Sequence, residues 1–188
     1  MEYFDVVDED GKPTGAVVSR ETAHKEGIQH RTSHVWIVRE TEKGYDILMQ
    51  KRSLNKDSFP GMYDTSSAGH IRAGDEPAAS AIRELKEELG ITAEASQLLY
   101  IGKFHGRYSE EFHGSMFKDN EIPYVFLFQE AVDIDQLTLQ KDEVDEVRWF
   151  DMETVWEEIQ HSRKRFCVPS EGLNILRRHL NKTFQNNF

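Results

Sequence analysis

Gly69-His70-Ile71-Arg72-Ala73-Gly74-Asp75-Glu76-Pro77-Ala78-Ala79-Ser80-Ala81-Ile82-Arg83-Glu84-Leu85-Lys86-Glu87-Glu88-Leu89-Gly90-Ile91 is the stretch that decides the fold. Its second part reads as a helix over residues 75–89. Asp75 and Glu76 stand where a helix begins, Pro77 suits its first turn, and Gly90 stops it at the C-cap position. Ala78, Ile82, Leu85 and Leu89 recur at helical spacing and form an apolar stripe. Glu84, Glu87 and Glu88 fall three and four residues apart on a separate face. Anions crowded within one turn repel unless a cation sits among them, and hard divalent ions such as Mg²⁺ take oxygen ligands of this kind. Read alone, the run is also an ordinary solvated face with an Arg83–Glu87 pair four residues apart. The glycines that bracket the 69–74 loop and the stripe that anchors the other side favour the metal reading.

Taken as one unit, residues 69–91 resemble the Nudix box. That pattern is a glycine, a spacer, a glutamate, a second spacer, then Arg-Glu-apolar-x-Glu-Glu-x-Gly-apolar. Gly69, Arg83, Glu84, Leu85, Glu87, Glu88, Gly90 and Ile91 fall in register, and Asp75 stands where the pattern has Glu. The resemblance implies a Nudix-type α/β/α sandwich around a mixed β-sheet, an α/β (α+β) fold. It implies Glu84, Glu87 and Glu88 as ligands of Mg²⁺ or Mn²⁺, the Gly69 carbonyl as a further ligand, and Arg83 as the group that orients the glutamates. The activity implied is hydrolysis of a diphosphate bond in a nucleoside diphosphate linked to another group, or in a related organic diphosphate. In-line attack of water on phosphorus relies on positioning and electrostatics. Two residues qualify as general base: Glu87, and Glu143 in the acidic run Asp142-Glu143-Val144-Asp145-Glu146.

A second resemblance extends along the chain. Ala23-His24, His30-Arg31, Trp36-Ile37-Val38, Gln50-Lys51-Arg52, Pro60-Gly61-Met62-Tyr63-Asp64, Gly69-His70 and Asp119-Asn120-Glu121 resemble type I isopentenyl-diphosphate isomerase, a Nudix relative. In the isomerases the matching histidines and acids bind a divalent metal. Here the set would be His30, His70, Asp119 and Glu121, with His24 as a looser match, and Mn²⁺ or Zn²⁺ suits it. The isomerases use a Cys just before the Gly-His pair, and this chain has Ala68 there. A methyl group delivers no proton, so the resemblance implies an isomerase-like branch with hydrolase chemistry. Isomerisation of isopentenyl diphosphate and noncatalytic nucleotide binding stand as alternatives. Lys51 and Arg52 end a strand near the expected mouth and are the candidate phosphate contacts.

The 188 residues are enough for one domain with a full core, and 1–188 is read as a single domain. The net charge of −11 argues against nonspecific nucleic-acid or anionic-membrane binding. It also creates a problem for a phosphate-bearing substrate, which bound cations would solve. A small-molecule diphosphate is the expected partner, and a homodimer is a family-level expectation. The one cysteine, Cys167, permits no intramolecular disulfide, and the first residues show no basic region followed by an apolar run, so a cytoplasmic setting is expected.

Outward from the box, the spacing predicts a hairpin over residues 3–19, strands at 34–39 and 45–51, a polar loop at 53–61 and a short strand at 65–71. Beyond it, strands are expected at 98–108, 121–130 and 146–150, with helices at 153–159 and 171–180 and a frayed tail after them. Ser109 to Asn120 reads as a long polar and aromatic loop, where Tyr108, Phe112 and Phe117 would stack on a base, cover an apolar substrate tail or pack within the loop.

Overall fold

Alternating apolar residues along three neighbouring strands, β3 (His30–Thr41), β4 (Gly44–Arg52) and β9 (Ser115–Phe128), set the layers. The computed structural model describes residues 2–162 and 164–185. Val35, Ile37, Leu48, Phe126 and Phe128 face one side and pack on Ala81, Leu85 and Leu89 of α2 (Pro77–Leu89). Trp36, Ile47, Met49, Val125 and Leu127 face the other side. They meet Val155 and Ile159 of α3 (Met152–His161) and Leu173, Leu176 and Leu180 of α4 (Ser170–Gln185). Successive strand residues point to opposite faces, so one strand feeds both cores. Each fully buried Leu contributes about 1.5–3 kcal/mol relative to exposure. The sandwich expected from the sequence is therefore present.

The other elements are β1 (Tyr3–Val7), β2 (Pro13–Ser19), α1 (Arg20–Glu26), β5 (Tyr63–Asp64), β6 (Ser67–His70), β7 (Leu98–Lys103), β8 (Gly106–Phe112) and β10 (Val144–Asp151). Among the described residues the main sheet runs β10-β4-β3-β9-β7, with β5 on β4, β6 on β3 and β8 on β9. The β3–β9 pair is parallel and its neighbours are antiparallel. No helix among the described residues is long and apolar enough to cross a membrane.

The feature that makes room for a site is a splay between β3 and β4. They pair only where Val38–Thr41 meets Gly44–Ile47. Before that point β3 pairs with β6 through Thr32–Val35, and β4 pairs with β5 through Gln50 and Lys51. Ser66 bridges the gap: its buried hydroxyl donates to the Leu48 carbonyl at 2.5 Å and accepts from the Ile37 amide at 2.8 Å. One side chain thereby replaces ladder bonds that the splay removes.

Several boundaries differ from the sequence reading. Helix α2 begins at Pro77, two residues late, because Glu76 is extended and makes no side-chain cap. Gly90 ends it in the left-handed region, at φ 74°, and its amide returns to the Lys86 carbonyl at 3.1 Å. The expected 109–120 loop is instead a hairpin: Tyr108 pairs with Asp119, Glu110 with Phe117 and Phe112 with Ser115. Its turn takes positive φ at both His113 (51°) and Gly114 (77°). Tight hairpin turns favour that geometry, but the usual Asn-Gly or Asp-Gly signal is absent. The C-terminal helix runs to Gln185 rather than stopping near 180; the last part of the expected tail, 186–188, lies outside the described residues.

Candidate metal and substrate site

The splay opens into a cavity of about 400 Å³. Two clusters of ligating groups meet along its wall.

The first is the face of α2. Glu84 and Glu88 are buried, and Glu87 is exposed. Arg83 Nη1 lies 2.6 Å from Glu84 and donates to Glu87 at 3.1 Å, while Nη2 donates to the His70 carbonyl at 3.0 Å. The guanidinium therefore ties Glu84 and Glu87 to β6. Glu88 accepts from Ser67 Oγ at 2.6 Å, from the Ala68 amide at 3.2 Å and from Gln50 Nε2 at 3.3 Å. Gly69 is required by close approach: a Cβ there would lie 2.2 Å from Glu84 Cδ. Burial, reinforced by neighbouring Glu84, pushes Glu88 up to about 8. Burial also raises Glu84, against the pull of Arg83. Acids held this way are short of positive charge, so the donor set fits a hard divalent cation.

The second cluster comes from four separate elements: His24 on α1, His30 on β3, His70 on β6 and Glu121 on β9. One ligand atom from each lies within 4.8 Å of the others. His30 Nε2 is 3.6 Å and His70 Nε2 3.4 Å from Glu121, and the Nε2 atoms of His24 and His70 are 3.2 Å apart. Register explains part of this, since His30 stands opposite Glu121 in the parallel β3–β9 pair. Backbone carbonyls set two tautomers. His24 Nδ1 donates to Arg20 O at 2.9 Å and His30 Nδ1 to Ile28 O at 2.8 Å, which leaves each Nε2 with a lone pair for the cluster. Phe4 of β1, fully buried, stacks on both His30 and His70 at 4.8 and 4.6 Å and fixes their planes.

Burial and two neighbouring imidazoles push His24 down to about 3. His70 is lowered by burial as well. Glu121 is held well below the usual carboxylate range by His30 and His70, overcoming burial, while burial and Glu121 drive Asp119 upward. His30 Nε2 and Asp119 Oδ1 are enclosed without a hydrogen-bond partner among the described residues. Three imidazoles, a carboxylate held low and two orphaned buried atoms form a donor set that fits a divalent ion such as Zn²⁺ or Mn²⁺.

The structure brings Glu84, Glu87, Glu88, Gly69, Arg83, His70, Glu121, Asp119 and Glu143 to one cavity. Glu143 pairs there with Lys56. Asp119 flanks the histidines, 3.7 Å from His24 Nε2, and lies outside the tightest group, whereas His24 belongs to it. Lys51 is a correction. Neighbouring strand residues face opposite ways, and only Arg52 of the pair lines the cavity. Even Arg52 is committed: it donates to Asp64 at 3.0 Å and to the Ser58 carbonyl and hydroxyl at 2.9 and 3.1 Å. Lys56, Arg20 and Arg72 are cavity cations that the sequence does not single out, because lone basic residues outside a motif carry no pattern. Cys167, remote in sequence, also reaches the cavity wall, where its thiol donates to the Tyr63 carbonyl at 3.4 Å and burial pushes its pKa up.

Comparison with known proteins follows the same lines. The NUDIX domain pattern matches residues 29–168. An uncharacterized Nudix hydrolase of Clostridium acetobutylicum is 40% identical over 143 residues, which cover 76% of this chain and 66% of that protein. An isopentenyl-diphosphate Delta-isomerase of Ruegeria pomeroyi is 30% identical over 149 residues, 79% of this chain and 77% of that one. Among solved structures, DR0079 of Deinococcus radiodurans superposes with a TM-score of 0.68 at 16% identity, covering 94% of this chain and 98% of its own. That last likeness is one of fold.

Proposed function

The chain belongs to the Nudix family, and on that premise we propose that it is a divalent-metal-dependent hydrolase. Its substrate is a nucleoside diphosphate linked to another group, or a related organic diphosphate. One observation carries the reading: the intact glutamate face of α2 opens onto a cavity that also presents the Lys56 ammonium. Acids for a cation and a cation for a phosphate are what a diphosphate needs together.

Glu84, Glu87 and Glu88, with the Gly69 carbonyl, would hold Mg²⁺ or Mn²⁺. His24, His30, His70 and Glu121 would hold a second ion, with Asp119 beside them. Bound divalent cations neutralise diphosphate charge and lower the pKa of a water. Arg83 holds the glutamates in place, and Lys56 offers a point charge to a phosphate oxygen once it leaves Glu143. Water attacks one phosphorus in line and the P–O–P bond breaks. One water proton passes to a carboxylate, and two phosphate-bearing products leave. Glu87, the exposed member of the triad, and Glu143 both face the cavity and both remain candidates for that proton.

Isomerisation of isopentenyl diphosphate is the second reading, favoured by the histidine cluster. Ala68 lines the cavity with a methyl group, and the nearby Cys167 thiol is engaged with a backbone carbonyl. A screen of the protein with Mg²⁺ against dinucleotides, nucleotide sugars, nucleoside triphosphates and isopentenyl diphosphate tests the proposal. Phosphate-bearing fragments from one of these classes are the expected result. Allylic rearrangement without P–O cleavage would replace the hydrolase reading with the second one.

A further inference from the structure

No step above uses His34, yet it is 7% exposed and lines the cavity. In the β3–β6 register it stands directly opposite Ala68. Residues opposed across antiparallel strands project on the same face, with Cβ atoms about 5 Å apart. The imidazole therefore stands on the face where the isomerase pattern places a thiol. The Phe104 ring backs it edge-on at 6.0 Å. Its Nδ1 is enclosed without a hydrogen-bond partner among the described residues. Asp64, Arg52 and Glu121 are its charged neighbours, and the Arg52–Asp64 pair is closed at 3.0 Å. Tyr108 and Ser58 line the same cavity. Donors and acceptors surround the imidazole on this wall, and Phe59 and Phe117 line the cavity as well, so selection against a hydrocarbon comes from the unpaired imidazole itself.

We propose that His34 is a specificity-determining residue that hydrogen-bonds a hydroxyl or amide of the group joined to the diphosphate, and so selects a polyhydroxylated moiety such as a pentose over a prenyl tail. The inference rests on the diphosphate-binding reading and names its substrate class. A buried imidazole left unpaired by an apolar ligand is the physical source of the selection. Sites built to bond a substrate hydroxyl reject the analogue lacking it far more strongly than apolar pockets reject an extra one.

Equilibrium binding, read by calorimetry with Ca²⁺ in place of Mg²⁺ to slow turnover, separates this inference from the hydrolase reading. The probes are ADP-ribose, which carries ribose on both sides of its diphosphate, and isopentenyl diphosphate. The unmodified protein is expected to bind ADP-ribose at least tenfold tighter. His34→Phe is expected to narrow that ratio tenfold or more, whereas His34→Gln, which keeps donor and acceptor atoms, retains most of it. Thermal melting of both variants reports folding, and the ratio of two affinities within one variant cancels a general loss of active protein. An unchanged ratio in His34→Phe overturns the inference. So does equal affinity for the two probes, or no measurable ADP-ribose binding, in the parent protein. Turnover with Mg²⁺ tests the hydrolase reading separately: selective binding without P–O cleavage would remove that reading and leave His34 in its role.

Discussion

The two ligand clusters of this cavity are built in opposite ways. The glutamate face lies within a single helical turn of α2 and is partly open, with the Glu87 side chain 45% exposed. The histidine cluster draws one residue from each of four elements, and its side chains are 0–15% exposed. A helix face needs only its own periodicity, so its ligands stay near one another even before the fold closes. The histidines meet only after β3 has paired with β6 and β9 and β1 has laid Phe4 across them. On the proposed reading the first cluster, open only at Glu87, would take an exchangeable ion, and the second, with no exposed side chain, would hold an ion as part of the structure.

The largest effect expected from this contrast is catalytic. Glu87→Gln should lower hydrolysis about a thousandfold, within the range for loss of an acid–base group, while one equivalent of Zn²⁺ or Mn²⁺ stays bound. Steady-state kinetics and metal analysis of the same sample check it. A larger drop in Glu143→Gln than in Glu87→Gln would move the general base to the acidic loop.

Next in size is His30→Ala. It should weaken binding of Zn²⁺ or Mn²⁺ by more than about 10–100-fold, the scale for removing a group that only supports a ligand. The Mg²⁺ concentration giving half-maximal activity should hardly change. Competition with a chelating dye reads the first quantity. Equal losses at both metals would show that the clusters act as one site and would end the comparison.

The smallest effect concerns stability and pH in EDTA. Glu88 ordinarily titrates at 4.5 and is raised to about 8, so the folded chain binds its proton more tightly than the unfolded chain. Its contribution is full below pH 4.5 and is lost as pH rises through 8. His24, lowered to about 3 from 6.5, acts in the opposite sense and only below 6.5. Between pH 6.5 and 8 the metal-free melting temperature should fall by several degrees, at about 2–4 °C per kcal/mol for a chain this size. Mg²⁺ should offset the fall, and Glu88→Gln should lessen it, leaving the part that comes from Asp119, which is raised to about 9. A melting temperature that rises with pH in EDTA contradicts this account of Glu88.

Legibility in the sequence followed the same division. The stripe Ala78, Ile82, Leu85, Leu89 and the stop at Gly90 gave α2 its place and its orientation, because spacing along a helix is spacing in space. The resemblance to the isomerases gathered His30, His70 and Glu121, but it ranked Asp119 above His24, which the tightest group reverses. Residues 109–120 read as a loop between two strands and instead extend those strands into a hairpin, since the turn at His113-Gly114 carries no familiar dipeptide. Lys51 and Arg52 looked equivalent in one dimension, and the pleat separated them.

By itself the sequence determined the carboxylate face, the layers and the family, all of which depend on residues close in the chain or on a continuous pattern. Only the tertiary structure decided that Phe4 stacks on two imidazoles, that His34 faces Ala68, and that Cys167 reaches the cavity wall. The reason is physical. These contacts depend on strand register and on the splay of β3 from β4, which are set by pairing between segments far apart in the chain.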